Sequence, residues 1–229
     1  MSGQTRLVVF DMDGTLIDSQ HLIVAAMERA FAAVGQPAPE RERILSVVGL
    51  SLPEAMGALA PHLAPEDVFA LAEQYRMGFV AQRAAGGAAA HAPLYPGARA
   101  ALERLAVAPG TLMGVATGKA RRGLEHSFDA HGIGGYFATA QTSDGHPSKP
   151  HPSMLLRALE ETGCAARHAV MIGDTEFDIA MGRAAGFATV AVAWGYHPRA
   201  RLEAAGADVV IERFDDLDGA LDGLRSAAR

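Results

Sequence analysis

Residues 6–19 read RLVVFDMDGTLIDS, a short apolar run that ends in two carboxylates one residue apart. Leu7, Val8, Val9 and Phe10 have no polar residue alternating with them, which predicts a strand buried on both faces of a parallel sheet. Such sheets hold their ligands just beyond the carboxyl ends of the strands, where Asp11 and Asp13 stand. Gly14 admits a backbone conformation closed to residues with a Cβ, and Thr15 offers a hydroxyl and an N–H to an incoming anion. A strand closed by an Asx or glycine turn has the same appearance, so the reading rests on the remainder of the chain.

Working outward, Asp18 or Ser19 is placed to cap a helix whose apolar positions Leu22, Ile23, Ala26, Met27, Ala30, Phe31 and Val34 keep helical spacing, with Gly35 ending it. Three further helical runs lie at 40–48, 52–60 and 65–85, separated by Pro or Gly and free of any strand pattern. A connector, GGAAAHAPLYPG (86–97), suits a hinge or a permissive surface loop. Strands then alternate with helices: strands at 112–116, 137–140, 169–172, 188–193 and 208–211, with helices between them and a last helix from about 214. This order predicts an α/β protein with a doubly wound, Rossmann-like parallel sheet and right-handed crossovers. The domain division expected is a core of residues 1–17 and 94–229, with an all-helical domain, residues 18–93, inserted after the first strand.

Composition narrows the function classes. The chain has 229 residues, 49% hydrophobic and 20% charged, with a formal net charge of −6. That is globular, and the negative balance argues against nucleic acid as the main partner. The first apolar run is too short for a signal peptide, and no uncharged apolar stretch reaches membrane-spanning length. The single cysteine, Cys164, excludes an internal disulfide and suits a reducing cytoplasm. An anionic substrate therefore requires a local cation and a few placed donors.

Three later strand ends carry candidates for that work. Thr117-Gly118-Lys119 comes after the 112–116 strand and opens a helix, giving a hydroxyl, an unhindered N–H and a positive dipole end suited to a phosphoryl oxygen. A P-loop is excluded, because only three residues separate Gly114 from Gly118 and Ala120 stands after the lysine where Ser or Thr is needed. Ser148-Lys149-Pro150-His151-Pro152 places a lysine between prolines at the mouth of a helix; taken alone, that lysine is a surface charge. His146 and His151 receive no role. Gly173-Asp174-Thr175-Glu176-Phe177-Asp178 ends a buried strand in a glycine turn and two acids at i and i+4, expected on one side of the opening helical turn. Acidic capping of a helix explains the same acids and is compatible with a functional role.

In order and in structural context, the four stretches resemble the motifs of the haloacid dehalogenase-like superfamily. The resemblance implies that Asp11 is the nucleophile toward phosphorus, that Asp13 handles protons and that Gly14, Thr15, Thr117 and Gly118 hold the phosphate. It implies that Lys149 neutralises nucleophile and phosphoryl group, that Mg²⁺ is bound by Asp11, the Asp13 carbonyl and Asp174, and that Asp178 supports from behind. The 18–93 insert resembles the small helical cap. DGTLIDS, Val48-Gly49-Leu50-Ser51, KPHP and Ala193-Trp194-Gly195-Tyr196 are similar to the phosphoglycolate phosphatases, whose substrate needs a cation over its carboxylate; Arg29, Arg41, Arg43 and Arg76 are the candidates. The expected partner is a small phosphorylated metabolite, met by a cytoplasmic monomer or homodimer. A β-phosphoglucomutase shares the core motifs but typically has a His where this chain has Ile23. Other sugar-phosphate, nucleotide or pyrophosphate phosphatases fit the same core. A dehalogenase usually lacks the second Asp, and a non-catalytic phospho-receiver would be shorter and need no GDxxxD.

Overall fold

The computed structural model describes residues 5–86 and 92–227. Six strands form one sheet: β1 Arg6–Phe10, β2 Thr111–Thr117, β3 Thr139–Thr142, β4 Ala169–Gly173, β5 Ala188–Val192 and β6 Val209–Ile211. Their order is β3-β2-β1-β4-β5-β6 with every pairing parallel. The order reverses between β1 and β4, so a crevice opens at the carboxyl ends of these two neighbours.

The apolar run in β1 is buried on both sides, as its composition predicts. Val8 and Phe10 pack into a cluster with Ala101, Leu102, Ile172 and Phe214. Leu7 and Val9 face the opposite way, into a cluster with Ala116, Met154, Leu155 and Met171. The helices α5 Ala98–Val107 and α10 Leu217–Ala227 contribute to the first cluster, and α7 Ser153–Thr162 and α8 Glu176–Ala184 to the second. Helices α6 Arg121–His131 and α9 Arg199–Ala204 complete the alternation.

Among the described residues, the elements between β1 and α5 are helices: α1 Gln20–Ala33, α2 Arg41–Leu45, α3 Leu52–Leu59 and α4 Pro65–Gly86. They bury a cluster of their own, built on Ile23, Met27, Phe31, Ile44, Met56 and Leu71. Pro53 stands in the first turn of α3 and Pro65 opens α4, where the missing N–H costs nothing. The second helical run is shorter than its pattern suggests, because residues 46–48 turn away after Leu45. The third β-strand begins two residues later than expected; Gly134–Tyr136 forms a 3₁₀ turn ahead of it. Of the connector at 86–97, expected as a hinge or a permissive surface loop, residues 87–91 lie outside the described residues. Among the described residues no helix is long and apolar enough to cross a membrane.

Candidate active site

The Asp11 N–H donates to Ile172 O at 2.9 Å, extending the β1–β4 ladder by one residue and fixing the side chain at the switch point. The carboxylate is 1% exposed. Lys149 Nζ lies 2.9 Å from Asp11 Oδ1 and donates to Asp178 Oδ1 at 2.6 Å. Far from being a solvated surface charge, Lys149 is itself 1% exposed, because the loop before α7 drives it inward between two acids. Burial pulls its ammonium down, but Asp11 and then Asp178 outweigh that and hold it above its ordinary value.

Asp174 and Asp178 converge differently from the i, i+4 expectation. Helix α8 starts at Glu176, so Asp174 precedes the N-cap and shares no helical turn with Asp178. Thr175 caps instead, in a reciprocal capping box: Asp178 N donates to Thr175 Oγ1 at 3.3 Å, and Thr175 N donates to Asp178 Oδ2 at 3.1 Å. Thr175 Oγ1 donates to the same oxygen at 2.6 Å, so Asp178 is fully occupied with Lys149 and Thr175. Asp174 accepts from Thr15 Oγ1 at 2.8 Å and from Tyr196 N at 2.9 Å. Two glycines let it sit there: a Cβ on Gly14, at φ 84°, would lie 2.1 Å from Asp174 Oδ2, and one on Gly195 would lie 2.1 Å from its Cβ.

The electrostatics of this cluster call for a cation. Carboxylate oxygens of Asp11, Asp174 and Asp178, all buried, lie within 4.8 Å of one another. Lys149 is the ammonium set among them, and Asp11 Oδ1, though at ion-pair distance from it, has no aligned hydrogen-bond donor. Burial pushes the Asp11 carboxyl up to about 6, against the pull of Lys149, with Asp178 and Asp13 adding to the rise. Burial, then Asp178 and Asp11, likewise holds Asp174 well above the usual carboxylate range. Buried carboxylates this close are stable as anions only with compensation, and hard oxygen donors suit a hard divalent cation. The residues therefore fit Mg²⁺, with Asp11 and Asp174 having the lone pairs to spare.

Asp13 meets different surroundings. Lys119 Nζ contacts both of its oxygens at 2.6 Å, and Ser19 Oγ donates to Oδ1 in a short contact. Ser19 stands at the N-cap of α1 but makes no capping bond, because its hydroxyl is spent on Asp13. Tyr196 Oη lies 3.1 Å from Ser19 Oγ and completes the group. Thr117, 1% exposed, ends β2 with its Oγ1 accepting from Lys119 N at 3.3 Å, which leaves the hydroxyl hydrogen for another partner. Sequence reasoning placed Lys119 and Tyr196 in noteworthy stretches without giving either a role, and used Ser19 only as a cap. The available signal was a lysine two residues after a strand-end threonine; that it turns back to Asp13 is a matter of three-dimensional placement.

Above these groups is a cavity of about 590 Å³, with Asp11, Asp13, Thr117 and Lys119 on the sheet side and helices α1 to α4 opposite. Of the four arginines considered for a substrate carboxylate, only Arg76 lines it, and Arg76 is paired with Glu73. Arg41 bonds Gln20 and Arg43 bonds Ala58 O instead. Ile23 also lines the cavity, at the position where a mutase would carry His. His146 reaches the rim but is tied to Ser153 and Gln141.

The family model of the haloacid dehalogenase-like hydrolases matches residues 8–192. A Dickeya dadantii protein named "Probable phosphatase IndB" is 35% identical over 225 residues, covering 95% of this chain and 94% of that protein. A phosphoglycolate phosphatase of Vibrio parahaemolyticus is 31% identical over 219 residues, covering 93% and 94%. Among solved structures, a hydrolase from Pseudomonas syringae superposes with a TM-score of 0.83 at 26% identity, covering 96% of this chain and 99% of that one.

Proposed function

The chain belongs to the haloacid dehalogenase-like hydrolases and is a phosphatase of that family, and from this premise we propose that it hydrolyses a small phosphate monoester through an aspartyl-phosphate on Asp11. The observation that carries the reading is the Asp11 carboxylate at the switch point, with Lys149 2.9 Å from one oxygen and Asp174 beside it. An Asp11 oxygen attacks phosphorus, the ester P–O bond breaks, and Asp13 gives a proton to the departing oxygen. Asp13 then takes a proton from a water that attacks the aspartyl-phosphate, releasing orthophosphate and restoring Asp11. Lys149 offsets the charge of Asp11 and of the phosphoryl oxygens, Asp178 holds Lys149 in place, and Thr117 with the backbone at Gly14, Thr15 and Gly118 receives the phosphate. Bound Mg²⁺, held by Asp11, Asp174 and the Asp13 carbonyl, supplies the charge that removes repulsion between the carboxylate and the phosphate.

Residues 1–17 and 94–229 form the catalytic core in this reading, and residues 18–93 the cap, supported by the separate hydrophobic cluster of α1–α4. Phosphoglycolate, named for a relative, is the reference substrate from which other leaving groups are measured. A monomer or homodimer in the cytoplasm is compatible with the one cysteine, Cys164, being free and buried. The experiment is direct. Asp11→Asn should lose more than about 99% of turnover, because an amide neither attacks phosphorus nor binds the cation well. Exhaustive chelation and dialysis should silence the wild type until Mg²⁺ is returned; retained activity in either preparation refutes the proposal.

A further inference from the structure

Resting on the phosphatase reading, we propose that the leaving group this site accepts is a bulky, largely apolar alcohol carrying an aromatic or comparable hydrocarbon body, in place of a two-carbon acid. The cavity runs without interruption from Asp11 and Asp13 to a wall made by Met27 of α1, Val47 and Val48 after α2, and Tyr75 and Phe79 of α4. The two rings stack with centroids 5.7 Å apart.

The size of the space is not that of a cap standing away from its core. The Ser51 N–H donates to Ser148 Oγ at 2.7 Å, and His197 Nε2 lies 3.1 Å from Ser46 O. At Gly118 the helical insert comes closer still: a Cβ there would lie 2.6 Å from Leu50 O and 2.7 Å from Gly49 O. With the insert seated at these points, about 590 Å³ is left. Phosphoglycolate has about nine non-hydrogen atoms; allotting each the ~30 Å³ of a liquid water, it would fill less than half of that volume. The cavity falls instead in the ~300–1,000 Å³ range of sites that enclose much larger, mostly apolar ligands.

The wall chemistry points the same way. A short acid needs a cation for its carboxylate inside the cavity. Lys119 is held on Asp13 and lies 5.5 Å from the centre of the Phe79 ring, Arg76 is paired with Glu73, and Arg122, which also lines the cavity, is exposed to solvent. The rest of the lining is mostly hydrocarbon, with Ser51, Glu54, Ser143, Asp144, His146 and Ser148 among it; its two acids oppose a substrate carboxylate, whereas an aromatic body gains from the apolar wall.

The test compares primary phosphate esters of similar leaving-group chemistry, with Mg²⁺ present: 2-phosphoglycolate, benzyl phosphate and 2-naphthylmethyl phosphate, with acetyl phosphate reporting on the Asp11 chemistry alone. The expected order of kcat/KM is naphthylmethyl, then benzyl, then phosphoglycolate, with at least tenfold between first and last. Phe79→Ala should cut that preference at least fivefold, through KM more than kcat. Calorimetric titration with benzylphosphonate and phosphonoacetate reads the same preference without turnover, benzylphosphonate binding at least fivefold more tightly. Phosphoglycolate equalling or exceeding the aromatic esters while acetyl phosphate is hydrolysed overturns this inference and leaves the phosphatase reading intact. If acetyl phosphate and every ester are inert, the phosphatase reading falls, and tighter binding of phosphonoacetate would then show the cavity assignment to be wrong independently.

Discussion

Asp11 and Asp13 are one residue apart, yet each is matched with its own lysine: Asp11 with the buried Lys149, Asp13 with Lys119 at the cavity floor. That division suits the unequal duties proposed for them. Asp13→Asn should leave Asp11 able to attack phosphorus but remove both the acid and the base. An alkyl ester should then fail at the first step, since an alkoxide leaves poorly without a proton. An aryl ester such as p-nitrophenyl phosphate needs no acid, so its first step should proceed and the second should stall. Rapid-quench kinetics should show a burst of nitrophenol near one equivalent per site, with a phosphate-sized mass increase on the Asp11 peptide. Full steady-state turnover of both ester types, or an adduct elsewhere, would show the two roles to be wrongly assigned. Lys119→Met, which frees Asp13 from its clamp, should slow aryl-ester turnover by about 10-fold, a fraction of the 10²–10⁴ that acid–base catalysis contributes.

At the scale of the element, Gly118 shows how a strand end and the helical insert depend on each other. An unhindered N–H for phosphate is one reason for glycine here; the contacts add a second, because the carbonyls of Gly49 and Leu50 occupy the space a side chain would need. Gly118→Val should therefore displace the 49–50 turn, at an overpacking cost of about 1–3 kcal/mol. The proposed cap would sit off the site, and kcat/KM for large esters should fall at least tenfold while acetyl phosphate hydrolysis suffers less; an unaltered ratio would mean the turn accommodates the side chain. Strand ends and their acids were legible in the sequence because a parallel sheet buries its strands in unbroken apolar runs and ends them abruptly, as at Phe10 and Gly173. The approach of Ser19, Lys119 and Tyr196 to Asp13 was not, since those residues come from three elements and no periodicity links them. Nor was the separation of Asp174 from the opening turn of α8, where the i, i+4 spacing of Asp174 and Asp178 imitates a helical face while the capping box at Thr175 decides the geometry. Lys149 by itself looked like a surface charge, and only its place in the series of motifs singled it out; its burial between Asp11 and Asp178 depends on the folded chain.

Across the whole molecule, two sheet-face clusters and the separate cluster of α1–α4 must be held in register for the cavity to exist. His197, 1% exposed in the loop after β5, is one of the ties. Its Nδ1 accepts from the Glu176 N–H at 3.2 Å, so the neutral ring carries its hydrogen on Nε2 and donates it to Ser46 O at 3.1 Å, joining the start of α8 to the end of α2. Protonation would place a hydrogen on Nδ1 facing the Glu176 N–H and break that bond. Burial lowers the affinity of the ring for a proton, Arg201 lowers it further, and the Ser46 carbonyl, Glu176 and Asp178 only partly offset them. The folded pKa therefore lies below the unfolded value of about 6.5. In that window the unfolded chain binds more protons than the folded one, so this contribution to stability is complete above about pH 6.5 and is lost as pH falls through the folded pKa. Hydrogen exchange on α1–α4 should accordingly quicken between pH 7 and pH 5, after correction for intrinsic rates, more than exchange in β1 and β4. His197→Gln keeps an amide able to accept from Glu176 and donate to Ser46 but cannot titrate, so its α1–α4 protection should vary less with pH than that of the wild type. Parallel pH profiles for the two proteins would remove His197 as the pH-sensitive tie between insert and core.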